Sequence, residues 1–116
     1  MKSTIEIFSE LGTRLRSIPQ SVIERAEQQS EWFCQIPTAI DAICSQMLDH
    51  HKLSEWIDLY PTPVHSVKRV GIIMAGNIPA VGFADLLYVI ASGNIPVVKY
   101  SSKDSVLMEY IVTLLQ

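Results

Sequence analysis

Two short segments carry the residue types that could do chemistry. The first, Ala75-Gly76-Asn77-Ile78-Pro79, follows the apolar run "RVGIIM" and precedes a helix-like pattern. The second, Lys99-Tyr100-Ser101-Ser102-Lys103-Asp104, follows the apolar run "IPVV". Each places small or polar residues where a strand should end, which is where open α/β sheets bind ligands. Neither contains G-x-G-x-x-G or G-K-[ST], so neither standard nucleotide fingerprint is present. From its residues alone, "AGNIP" is a strand-to-helix turn. Gly76 supplies backbone freedom and room, Asn77 local hydrogen bonding, and Pro79 the start of the helix.

Other chemistry-bearing residues read as structural. Cys34 and Cys44 sit among apolar neighbours, "EWFCQI" and "DAICSQM", where cysteine packs as a small hydrophobe. Without an export signal they are expected to stay reduced. His50-His51 suggests a metal, but adjacent helical residues point about 100° apart and no further ligand pattern completes a site. A solvated helix end is the better reading. Trp32, Phe33 and Trp56 are expected to be core plugs at helix junctions rather than a ligand cage.

The elements that must position the two segments can be read from periodicity. Ser3 and Glu6 form a capping box, and Ile5, Phe8, Leu11, Leu15 and Ile18 recur at helical steps until Pro19. Further helices are expected over 20–29, 38–48 and 53–60. "PTPVHS" then breaks the pattern as a stiff connector, giving a helical segment 1–60, a linker 61–68 and an α/β segment 69–116. A strand over 70–74, a helix over about 80–92, a strand over 95–99 and a helix over about 104–115 make β-α-β-α, the order of a parallel sheet. Continuous hydrophobicity in both strands predicts burial on both faces. Two such strands leave unpaired edges, so the sequence reads as the N-terminal piece of a longer enzyme.

Composition bounds the partners. The 116 residues are 48% hydrophobic and 18% charged, with a formal charge of −3, and no basic stripe is visible. That argues against nucleic acid as the main partner. The N-terminus lacks the apolar core and cleavage site of a signal peptide, and the apolar runs are too short to span a membrane, so a cytoplasmic location is expected. A homo-oligomer is compatible with the sequence.

The stretch "GIIMAGNIPAVGFADLLYVIASGNIPVVKYSSKD", residues 71–104, resembles the LuxC-type acyl-CoA reductases, members of the aldehyde dehydrogenase superfamily. The "AGNIPAVGF-DLL" and "VVK-SSKD" blocks carry the resemblance, which covers roughly a third of the chain. It implies an aldehyde-dehydrogenase-like, Rossmann-type sheet, an acyl-CoA or other acyl thioester substrate, and NADPH as cofactor. "AGNIP" lies over the superfamily's P-W-N-F-P, so Asn77 takes the place of the amide that stabilises the reaction's oxyanion. "VVKYSSKD" matches the K-P-S-E loop that holds the adenosine ribose. Lys99 falls on the lysine, and Ser102 falls where NAD-using relatives carry glutamate. Ser102 removes a carboxylate that would repel a 2′-phosphate, and Lys103 adds positive charge, hence NADPH. The implied cofactor-binding set is Met74, Ala75, Gly76, Lys99, Ser101 and Ser102. The sequence departs from its relatives at Ala84 and Asn94, where they carry histidine. The acyl-accepting cysteine belongs to a downstream segment, and neither Cys34 nor Cys44 inherits that role. A noncatalytic nucleotide-binding or interaction module, and a helical protein with an incidental β-α-β-α tail, are the competing readings.

Overall fold

Ser3 opens the first helix as its capping pattern requires, its Oγ accepting from the Glu6 N–H at 3.2 Å. The computed structural model describes residues 3–29, 36–59, 66–76 and 79–116. Helix α1 (Thr4–Arg16) buries Phe8, Leu11 and Leu15 along one stripe, and α2 (Gln20–Gln29) follows Pro19 with Ile23 and Ala26 inward. Helix α3 (Ile36–Gln46) buries Ile36, Ile40, Ile43 and Cys44. Helix α4 (His50–Asp58) starts three residues before the expected position, because Asp49 caps it by accepting from the Lys52 N–H at 3.1 Å. His50 and His51 therefore lie in the first turn of α4, both exposed, and His51 Nε2 stands 2.8 Å from Glu55 one turn on. The expectations for Trp32, Phe33, Cys34 and most of the 61–68 linker fall outside the described residues.

The alternation after the linker produces mixed α/β structure. Strand β1 (Arg69–Ile73) and strand β2 (Ile95–Lys99) pair in parallel, from Arg69 opposite Ile95 to Ile73 opposite Lys99. Helix α5 (Phe83–Ala91) makes the crossover, and α6 (Ser105–Leu115) follows β2. Among the described residues the sheet has these two strands alone.

The helical and α/β segments share one core. Phe8 of α1 and Phe83 of α5, both fully buried, meet edge to face with ring centroids 6.3 Å apart. Leu107, Met108 and Ile111 of α6 join the same cluster, and α6 packs against α1 and α2.

Two expectations are corrected. Burial on both faces of the strands is not observed: Ile72 points inward, but Ile73, Ile95 and Val97 are 84%, 50% and 53% exposed. Helix α5 covers one face, α6 turns away to the helical segment, and no described element covers the other. Nor does Pro79 start a helix. Residues 79–82 form a turn and α5 begins at Phe83, because Ala80 adopts a φ of +55°, which leaves the helical region. Among the described residues no helix is long and apolar enough to cross a membrane.

Candidate functional site

Parallel pairing brings the carboxyl ends of β1 and β2 to one edge, where the Met74 N–H donates to the Lys99 C=O at 3.0 Å. The two segments picked out by their chemistry are thus neighbours. Ala75 is exposed and Gly76 half-buried; across from them Ser101 is half-buried, with Ser102 and Lys103 exposed. Lys99 is exposed on the uncovered face of the sheet. Met74 points the other way: its buried side chain packs on Gly82, where a methyl would stand only 2.6 Å from Met74 Cγ. Asn77 lies outside the described residues.

Gly76 is required for close approach rather than for ligand room. A Cβ there would stand 2.8 Å from Ser101 Cβ and nearer still to its Oγ, so the space expected to admit a ligand is already filled by Ser101. Ser101 is itself fixed, its Oγ accepting from the Lys103 N–H at 3.2 Å and its C=O from the Asp104 N–H at 3.1 Å. Gly76→Ala should therefore cost about 1–3 kcal/mol by overpacking, and Ser101→Gly should recover part of it. Urea denaturation of the single and double variants checks this; a Gly76→Ala chain as stable as wild type would refute the close contact.

Asp104 joins the two loops. It precedes α6 but makes no side-chain cap to it. Instead its Oδ2 accepts from the Ala80 N–H at 2.8 Å, holding the turn that follows the first loop. The carboxylate is 1% exposed, and Oδ1 has no hydrogen-bond partner among the described residues. Burial pushes its pKa from 3.8 up to about 6, against the opposing effect of the Ala80 N–H. The folded chain therefore binds this proton more tightly than the unfolded one. The associated stability is complete below about pH 4 and is lost as pH rises through about 6. Asp104→Asn keeps an acceptor for Ala80 without the charge. Between pH 4.5 and 7.5 it should gain about 1–2 kcal/mol relative to wild type in urea titrations. Parallel pH profiles would show that the carboxyl titrates normally.

Gln29 supplies the cap that Asp104 does not. From the end of α2 its Oε1 accepts from the Val106 N–H at 3.0 Å, while Nε2 donates to the Ser102 C=O at 2.8 Å and to Ser105 Oγ. Sequence reasoning missed both groups. An aspartate before a helix signals a cap to that helix, and nothing local connects Gln29 to a loop more than seventy residues away.

The remaining candidates lie elsewhere. Cys44 is buried, its Sγ 3.6 Å from the Gly12 C=O, and burial raises its pKa, which fits packing rather than nucleophilic attack. An open cleft of about 480 Å³ between α1 and the α3–α4 turn includes Arg16 and Lys52. Both cations are already engaged, Arg16 by Asp41 and Ser45, Lys52 by the Ser45 C=O and Gln46. Ala84 lines a crevice of about 200 Å³ with Met47, Leu53, Trp56, Leu87 and Tyr88. Asn94 lies at the opposite end of the strands from the site, where its Oδ1 accepts from the Lys68 N–H at 3.0 Å.

Fold and edge together define a parallel α/β chain with two interlocked loops at its carboxyl strand ends. No family model, curated protein or solved structure matches the chain.

Proposed function

We propose that the chain is the N-terminal part of a LuxC-like, NADPH-dependent acyl-CoA reductase, acting in the cytoplasm on an acyl thioester to give an aldehyde. The observation that carries this reading is the contact between the two strand-end loops, Gly76 against Ser101. The described residues of the two blocks that resemble the family, Ala75-Gly76 and Ser101 to Asp104, thereby lie at one edge. The bare apolar face of Ile73, Ile95 and Val97 also suits the first strands of a larger, Rossmann-type sheet.

The residues present fit the cofactor. A 2′-phosphate beside Ser102 and Lys103 would meet no exposed carboxylate from its own loop, because Asp104 is buried and turned to Ala80. Lys99, Ser101 and Ser102 would hold the adenosine ribose, with exposed Ala75 beside them, whereas Met74, buried against Gly82, and Gly76, filled by Ser101, would support the edge from behind. NADPH supplies the hydride in this chemistry. A downstream cysteine thiolate attacks the acyl thioester, the CoA thiolate leaves, and Asn77 donates its amide to the tetrahedral oxyanion.

The test is to express the uninterrupted reading frame and measure acyl-CoA-dependent NADPH oxidation together with aldehyde release. Absence of both from a folded product would overturn the reading. The exposed face also favours a noncatalytic interaction module, for which nucleotide binding without turnover is the expected result. In the complete enzyme, Ser102→Glu should weaken NADPH several-fold more than NADH, since the new carboxylate repels only the phosphorylated ribose. Equal losses by fluorescence titration would show that this loop does not read the 2′-phosphate.

A further inference from the structure

We infer that Gln29 is a positioning residue for the ribose-binding loop, so that the helical segment sets the geometry with which the α/β segment recognises a 2′-phosphorylated nucleotide. The inference rests on the cofactor reading above and extends it to a residue outside the α/β segment.

The loop after β2 has two internal ties, both through Ser101. Ser102, the residue that would discriminate the phosphate, is exposed, and its backbone is held by Gln29 Nε2 at 2.8 Å. The same amide reaches Ser105 Oγ, and its oxygen takes the Val106 N–H. One side chain therefore fixes the Ser102 carbonyl relative to the first turn of α6. Because Asp104 is committed to Ala80, no side chain of the loop itself performs this task. Helix α2 packs against α6, so Gln29 is carried on a supported element.

Two variants separate positioning from bulk stability. Gln29→Leu deletes all three hydrogen bonds at similar volume. Gln29→Glu keeps the acceptor for Val106 but loses both donors, and it serves if the leucine variant does not fold. The probes are 2′,5′-ADP and 5′-AMP, titrated into the isotope-labelled 116-residue chain and followed at the amides of residues 101–103. Wild type is expected to prefer 2′,5′-ADP. The variants should lose about fivefold of that preference, the equivalent of one hydrogen bond of about 1 kcal/mol. In parallel, hydrogen exchange at the Lys103, Asp104 and Val106 amides should rise about tenfold relative to α5.

A merely structural role would speed exchange across α2, α5 and α6 alike without moving the nucleotide ratio, and that result overturns the proposal. So does unchanged exchange at 103–106. A wild-type chain that binds neither nucleotide would instead sink the dinucleotide reading. The exchange result then decides by itself whether Gln29 holds the loop.

Discussion

Phe83→Ala is expected to lower stability by about 3–5 kcal/mol, a large part of what a domain of this size possesses. Phe83 is fully buried at the first residue of α5, where it meets Phe8 of α1 edge to face. Removing the ring abolishes its own burial and leaves a cavity that closely packed neighbours fill only in part. The melting temperature should fall by roughly 10–20 °C, measured by circular dichroism. Phe8→Ala should act similarly, and the double variant should lose less than the sum, by about 0.5–1.5 kcal/mol for the ring pair. The experiment also reports on how the chain is built. If the rings join two segments into one cooperative unit, helical and strand signals disappear together in wild type and variant. Two separate transitions, or a loss below about 1 kcal/mol, would show that the segments fold independently and that the shared core contributes little.

Periodicity located every described helix, since a three-to-four-residue stripe states both helical form and inward face. For α2 the bounds 20–29 agree with the structure, because Pro19 marks the start without competition. Parallel pairing was also legible: a helix of nine residues between two short apolar runs returns the chain to the same end of the sheet. What remained hidden depends on partners distant in sequence. An apolar run such as "IPVV" records hydrophobicity and not what covers it, so the bare face of Ile73, Ile95 and Val97 left no local sign. Pro79 carries a helix-start signal, yet the N–H of Ala80 is held by Asp104, twenty-four residues away, in a backbone conformation that costs an alanine about 1–2 kcal/mol. Gly76 was legible as special but for the wrong reason, because only the folded chain places Ser101 against it. The candidate site was thus visible as two segments, while its clamps, Asp104 and Gln29, were not.

In the complete enzyme proposed above, Asn77→Ala is expected to lower acyl transfer and reduction by about 10²–10³ while leaving cofactor affinity nearly unchanged. Asn77 itself lies outside the described residues, but the chain is anchored on both sides of it. Before it, Gly76 packs on Ser101 and the Met74 N–H is tied to β2. After it, Pro79 is buried and the Ala80 N–H is held by Asp104. A preoriented amide donor is worth about 3–4 kcal/mol in a transition state that develops an oxyanion. Because the oxyanion exists only after attack, the loss should appear in kcat and in single-turnover acylation rather than in NADPH binding. Asn77→Asp should be at least as damaging, since it replaces the donor with a charge of the same sign as the oxyanion. Thermal melts of both variants check that the turn survives. Unchanged acylation and kcat in a folded Asn77→Ala enzyme would remove the oxyanion role and return Asn77 to its reading as a turn residue.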